Sequence, residues 1–308
     1  MISNVARQPQ LPPGLRYLLG VDGGGTGTRV RLADPAGRLL GQGEGGPSAL
    51  AQGPAQAWQH INQALDQAVA QAGLKDFDRR SCAIGLGLSG AGNAELVAQF
   101  QALDPGFARA VLDNDGYTTV LGAHGGQPGA VIASGTGSVG EALRPDGSRV
   151  IVGGWGWIIG DEGSGAWLGQ KAMRHAQQVF DGRAPTGTLA EAVFAVAGHE
   201  RSSLIAWCAA AGQHGYAKLA PLVFAEASRD AVAQAFVDEA VAELERLAEA
   251  LDPTHELPMA LCGSVAIALR ERFAPALRAR CVEPQGDSAN GALLLIRNAI
   301  AFEEATST

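Results

Sequence analysis

An internal repeat constrains this chain more than any other feature. Residues 18–43 read LLGVDGGGTGTRVRLADPAGRLLGQG, and residues 129–154 read GAVIASGTGSVGEALRPDGSRVIVGG. An offset of 110 places Gly25-Thr26-Gly27 on Gly135-Thr136-Gly137 and Pro35-x-Gly37 on Pro145-x-Gly147. Each copy reads as an apolar strand, a Gly-Thr-Gly turn, a second strand, a Pro-x-Gly turn and a third strand. Two turns shared at one offset predict two related lobes, each opening on a β-meander.

Helical patterns fill the intervals. Trp58, Ile61, Leu65, Val69 and Ala72 recur at helical spacing after Gly53-Pro54. A helix is expected over 94–103, after the apolar strand CAIGLGL, and another over 166–180. Residues 189–251 are Ala-rich helix with breaks expected near Gly198, Gly212 and Gly215. A last helix is expected over 291–302. The class is α/β, with sheets covered by helices. The chain has 42 glycines, about twice the usual share, which read as clusters in turns between apolar runs. A glycine run needs either a turn or a backbone that something approaches closely. Phosphate cradling and a bare hairpin both fit GGGTG alone; its copy 110 residues on favours the cradle.

Composition narrows the partners. Hydrophobic residues at 46% and charged residues at 18% suit a soluble globular chain. The net charge of −8 offers no basic stripe, so no nucleic-acid partner is expected. A phosphorylated ligand would have to be held by backbone amides and a cation. No window approaches the ~20 apolar residues of a membrane span. The four cysteines, Cys82, Cys208, Cys262 and Cys281, stand far apart, with no zinc or iron–sulfur spacing and reduced cytosolic thiols as the expectation. The first 15 residues lack the apolar core of a signal peptide and are expected to be a disordered lead-in to a cytoplasmic protein.

Rival motifs fall short. GxxxxGK[ST], GxSxG and HExxH are absent. GxGxxG occurs at 85–90 and 135–140, but a dinucleotide fingerprint needs strand, loop and helix in that order. The second copy precedes a hairpin and fails; the first precedes a helix and stays a weak NAD candidate.

The succession GVDGGGTGTRV, GLSGAG, LDNDG, VIASGTGS, GGWGWIIGDEGSGAWLG, LCGSVA and SANGALLL resembles the N-acetylglucosamine kinase and glucosamine kinase group of the BadF/BadG/BcrA/BcrD ATPase family, within the actin-like superfamily. The resemblance spans residues 17–298 and is most specific in GGWG…GDEGS beside SGTGS. It implies two ribonuclease-H-like lobes with ATP and sugar in the cleft, ATP and Mg²⁺ as cofactors, an amino-sugar substrate and a homodimer. The lobes are expected at 16–124, completed by the C-terminal helix 292–308, and at 125–291.

The resemblance also implies residue roles. Gly23, Gly24, Gly25 and Thr26 would wrap the phosphates of ATP, and Gly135, Thr136 and Gly137 would form the second phosphate loop. Asp22 would contact Mg²⁺ through water; it could also be a turn-capping carboxylate. Asp115 is the expected catalytic base, with Asp113 as competitor on the same face of an extended segment. Ser89, Asn114, Trp155, Gly156, Asp161 and Glu162 are expected at the sugar, with Trp157 as core. For Asp161 and Glu162 the bland reading is an acidic surface turn before a helix. Gly263 and Ser264 would meet adenosine, unless Ser264 is merely an N-cap.

One position departs from the family pattern. Relatives commonly carry Asn after GPS, where this chain has Ala49, so Ser48 or a water would have to replace that sugar contact. The lead expectation is transfer of a γ-phosphoryl group to the 6-hydroxyl of glucosamine or N-acetylglucosamine. The alternatives are a BadF-type reductase-activating ATPase, whose clustered cysteines are missing here, and a nucleotide-switched binding protein.

Overall fold

The computed structural model describes residues 14–306, with side chains through Phe302. The lead-in expected over 1–15 therefore lies, except for its last two residues, outside the described residues. Two compact units emerge: unit 1 runs to Gln127 and resumes at Pro284, and unit 2 is Pro128–Glu283. The divisions fall at 127/128 and 283/284, where the sequence suggested 124/125 and 291/292.

Unit 1 begins with strands β1 (Tyr17–Gly23), β2 (Thr28–Ala33) and β3 (Leu39–Gly45), then helix α1 (Pro54–Gln71). It continues through β4 (Cys82–Leu88), α2 (Ala94–Ala102), β5 (Arg109–Asp113) and α3 (Asp115–Ala123). Unit 2 opens with β6 (Gly129–Ser134), β7 (Ser138–Leu143) and β8 (Arg149–Gly153). Helices α4 (Gly165–Phe180), α5 (Thr188–Ala197), α6 (Arg201–Ala217), α7 (Ala220–Glu226) and α8 (Ala231–Leu251) follow. Strand β9 (Met259–Cys262), helices α9 (Ser264–Leu269) and α10 (Pro275–Arg280) and strand β10 (Cys281–Val282) complete it. The chain then returns to unit 1 as α11 (Ser288–Thr306).

The two sheets are copies. Their orders are β3-β2-β1-β4-β5 and, read in the matching direction, β8-β7-β6-β9-β10. In each the first three strands are antiparallel and the last two are parallel to the first. This is the duplicated ribonuclease-H-like α/β architecture. The Pro-x-Gly turns agree bond for bond. Asp34 N–H reaches Arg38 O at 2.9 Å and Arg144 N–H reaches Ser148 O at 2.9 Å, with φ of 85° at Gly37 and 82° at Gly147.

Residue pattern explains each layer. Strand β4, CAIGLGL, is buried at every position because it lies between two parallel neighbours. Strand β2 alternates, with Val30 and Leu32 inward and Arg29 exposed. Helix α1 starts at Pro54 and buries Trp58, Ile61, Leu65 and Ala68 on one face.

Many glycines prove to be packing positions rather than turn residues. A Cβ at Gly41, Gly43 or Gly45 of β3 would overlap the carbonyls of Ala68, Ala64 or His60 on α1. Likewise Gly20 and Gly85 lie beneath the Ala289 and Ala292 carbonyls of α11. Alternate glycines strip one strand face to backbone, and a helix settles directly on it. This also retires the NAD candidate at 85–90, since Gly85 and Gly87 sit inside β4.

Three helical expectations shift. The break at Gly215 is absent, and α6 runs on to Ala217, since one helical glycine costs only about 1 kcal/mol against Ala. An unforeseen break separates α7 from α8 at 227–230. The last helix begins at Ser288, before the expected Gly291. Among the described residues no helix is long and apolar enough to cross a membrane.

Candidate active site

In unit 1 the site grows from the first hairpin. Gly24 N–H donates to Gly27 O at 3.0 Å, and Gly24 O accepts from Ser48 and Ala49 N–H, each at 3.1 Å. Ser89, at the end of β4, joins in through its backbone alone: its N–H donates to Gly23 O and its carbonyl accepts from Leu50 N–H, both at 2.9 Å. Ser48 is fully buried, with its hydroxyl 2.7 Å from that of Thr28. It is thereby committed to the core and does not offer the sugar contact considered for it; Ala49 is itself buried.

The hairpin tip answers why glycine stands there. Gly24 and Gly25 have no left-handed φ, so turn geometry does not require them. A Cβ at Gly24 would meet nothing within 4 Å, and one at Gly25 would meet only Gln52 Nε2 at 3.8 Å. Gly135 of the second hairpin is the same, with its nearest neighbour, Gly263 Cα, at 3.9 Å. Neither conformation nor packing within the chain demands these glycines. They leave bare backbone facing open space.

Two carboxylates of unit 1, Asp22 and Asp115, feel each other's charge here. Asp22 is the penultimate residue of β1, and its Oδ2 accepts both Arg29 Nε at 3.0 Å and Arg29 Nη2 at 2.6 Å. Asp115 opens α3, one residue after the N-cap Asn114, whose Oδ1 accepts Tyr117 N–H at 2.6 Å. Burial, and then the charge of Asp22, raise the Asp115 carboxyl above its ordinary range. Asp113 ends β5, so the chain turns from strand to helix between the two acids. They do not share a face of one extended segment, because Asn114 caps a helix there.

In unit 2 the second hairpin is closed by Gly135 N–H to Gly137 O at 3.0 Å. Its carbonyls meet the start of α4: Gly165 N–H donates to Gly135 O at 2.8 Å and Ala166 N–H to Thr136 O at 3.1 Å. The positive end of that helix thus lies on the hairpin, where an anion is favoured. Gly263, at φ 86°, caps α9, and a Cβ there would overlap Ser134 O. Ser264 is the first residue of α9 rather than its N-cap, which removes the capping reading. A cavity of about 530 Å³ opens beside these pieces, lined among others by Thr136, Gly165, Lys218, Phe224, Ser264 and Val265. That volume suits a small-molecule ligand.

Asp161 is no surface turn. It is 5% exposed and holds φ 58°, uncommon for a residue other than glycine. Its Oδ2 accepts Gln213 Nε2 at 2.9 Å. Burial pushes its carboxyl above the ordinary range, against the lowering effect of the Ser138 and Gly156 N–H groups. Its Oδ2 would stand 2.5 Å from a Cβ on Gly137, so that glycine makes room for the carboxylate. Glu162 points to solvent, while its carbonyl accepts Ser138 Oγ–H at 2.7 Å. Trp155 is 75% exposed, and Trp157 is half-buried against Tyr216. The sequence reading missed Gln213, Lys218 and Arg29; the Gly212 break was the signal that could have drawn attention to Gln213.

The comparisons fit this geometry. The sequence profile of the BadF/BadG/BcrA/BcrD ATPase family matches residues 19–295. The chain is 32% identical over 281 residues to glucosamine kinase GspK of Vibrio cholerae, covering 91% of this chain and 95% of that one. An N-acetylmuramic acid/N-acetylglucosamine kinase of Clostridium acetobutylicum is 29% identical, over 55% of this chain and 56% of its own. The crystal structure of a candidate N-acetylglucosamine kinase from Chromobacterium violaceum superimposes with a TM-score of 0.88 and 51% identity, covering 92% of this chain and all of that one.

Proposed function

This chain belongs to the BadF/BadG/BcrA/BcrD ATPase family, and from that premise we propose that it transfers the γ-phosphoryl group of ATP to the 6-hydroxyl of glucosamine or N-acetylglucosamine. It is an ATP-dependent amino-sugar kinase; the acceptor hydroxyl, the preferred sugar and the residue roles are the proposal. The observation that carries it is the bare backbone of Gly24, Gly25 and Gly135, free of any conformational or packing demand from the chain itself. The N–H groups of Gly24 and Gly135 close their hairpins, so these glycines serve by leaving room for phosphate oxygens to approach the other amides of the turns, in a protein whose net charge is −8.

Phosphoryl transfer asks for positioning, charge stabilisation and a proton acceptor. In unit 1, Asp115 takes the proton of the attacking hydroxyl. In unit 2, the cavity beside Gly263 and Ser264 receives the nucleoside, the second hairpin meets phosphate, and Asp161 accepts a sugar hydroxyl. Trp155 offers an apolar ring face to the sugar.

The acids of unit 1 fit Mg²⁺. Among the described residues no three His, Cys, Asp or Glu side chains cluster as a metal site. An ion beside Asp22 would therefore complete its shell with phosphate oxygens and water, as Mg²⁺ does. Both Arg29 bonds fall on Oδ2 of Asp22, leaving Oδ1 to hold such a water. When bound, Mg²⁺ supplies positive charge to the phosphate oxygens.

The test is ADP release from Mg-ATP with glucosamine, N-acetylglucosamine, glucose, N-acetylmannosamine or no sugar. Release that depends on one amino sugar supports the kinase and identifies its acceptor despite Ala49. Release indifferent to every sugar overturns it in favour of an ATP-driven switch. Light scattering on the same sample reads the homodimer that belongs to this proposal.

A further inference from the structure

Helix α6 carries a break that its composition does not require. Gly212 has φ 54° and ψ −174°, a region essentially open to glycine alone. A Cβ there would nevertheless meet no atom within 4 Å. The glycine serves the direction of the chain, not the space around it. What the break accomplishes is the placement of Gln213, whose Nε2 donates to Asp161 Oδ2 at 2.9 Å across 52 residues of sequence.

Carboxylate and amide lie together on the second glycine hairpin. A Cβ on Gly137 would stand 2.5 Å from Asp161 Oδ2 and 3.1 Å from Gln213 Nε2. The residues that follow Gln213 turn to the neighbouring cavity, which His214, Ala217 and Lys218 line together with Thr136 and Ser264. One short stretch after Gly212 therefore touches both the buried carboxylate and the cavity wall.

We propose that Gln213 is a positioning residue that links nucleotide in this cavity to the orientation of the Asp161 carboxylate, and so to sugar binding. The proposal rests on the reading of Asp161 as the sugar anchor. An amide suits the task. It donates one hydrogen bond without neutralising the acid; with the Ser138 and Gly156 N–H groups also on the carboxylate, about one of its roughly four lone pairs stays open to a sugar hydroxyl. A lysine or arginine here would instead compete with the substrate for the carboxylate. Asp161 also holds an unfavourable backbone conformation, which persists only where its surroundings over-determine it. Its bond to Gln213 is one of those restraints.

The experiment uses the whole chain and compares wild type with two variants in one measurement. Glucosamine and N-acetylglucosamine are titrated calorimetrically into wild type, Gln213→Met and Asp161→Asn, each with and without saturating AMPPNP. Methionine keeps the length of glutamine and removes the donor. In wild type the nucleotide should tighten sugar binding by a factor in the allosteric range, about 5–150-fold. In Gln213→Met that ratio should fall toward one and the sugar Kd with AMPPNP present should rise, with AMPPNP affinity in the absence of sugar unchanged. A wild-type ratio of one overturns the proposal, as does a Gln213→Met protein that keeps the full ratio or merely melts earlier. Asp161→Asn separates the two readings. If it binds sugar as wild type does, the sugar-anchor assignment has failed. If it loses sugar while Gln213→Met keeps the ratio, the anchor stands and the positioning role falls.

Discussion

Asp115 has what a proton acceptor at this point needs: a place at the head of α3, burial, and a neighbouring acid that makes its charged form less comfortable. A base whose carboxyl titrates above the ordinary value near 3.9 stays protonated to a higher pH. The acid limb of kcat/KM should accordingly lie above that ordinary value, and a limb at or below it would contradict the assignment. Asp115→Asn should leave ATP binding in place and lower kcat by about 10²–10⁴-fold. A second residue carries a pH effect on stability rather than rate. His175, on α4, is buried, and its Nε2 has no hydrogen-bond partner among the described residues. Burial lowers its pKa below 6.5, with Asp230 opposing. Its folded value is depressed, so the unfolded chain binds the proton more readily and stability falls as pH drops through 6.5 toward the folded value. The melting temperature of wild type minus that of His175→Leu should therefore shrink from pH 7.5 to 5.5; an unchanged difference would remove His175 as a source of acid sensitivity.

Two kinds of glycine coexist in neighbouring elements and should separate cleanly by substitution. Gly43 of β3 lies against the Ala64 carbonyl of α1, so Gly43→Ala forces helix and strand apart. Overpacking of this sort destabilises by about 1–3 kcal/mol, read by urea denaturation. Gly24, at the hairpin tip, has open space and an ordinary backbone. Gly24→Ala should change stability by no more than ~0.5 kcal/mol, as a surface substitution does, while raising the KM for ATP. A Gly24→Ala protein with wild-type ATP kinetics would return the hairpin to a turn with no ligand. The β3 glycines and the hairpin glycines look alike in sequence; the helix that presses on one set is what distinguishes them.

Across the whole molecule the decisive feature is the return of the chain to unit 1 through α11. Leu293, Ile296 and Ile300 close a core with Leu18, Ala33 and Ala83, more than two hundred residues earlier in the chain. Ile296→Ala should cost about 2–5 kcal/mol. Hydrogen exchange should rise in β1, β4 and α3, which α11 covers, and stay unchanged in unit 2; exchange spread evenly over both units would contradict this division. The duplication, both meanders and the two Pro-x-Gly turns were legible in the residues alone, because turn chemistry and two-residue alternation act over a few neighbouring positions. The family motifs likewise marked Asp22, Asp115 and Asp161 as candidates. The sequence could not say that Asp161 is buried against Gly137, that Ser48 is consumed by Thr28, or that Gln213 reaches back 52 residues. That the final helix belongs with the first strands was expected only through the family resemblance; no local pattern in its residues announces it. Those outcomes depend on which surfaces meet once strands and helices pack, and contact between residues far apart in the chain leaves no local pattern to read.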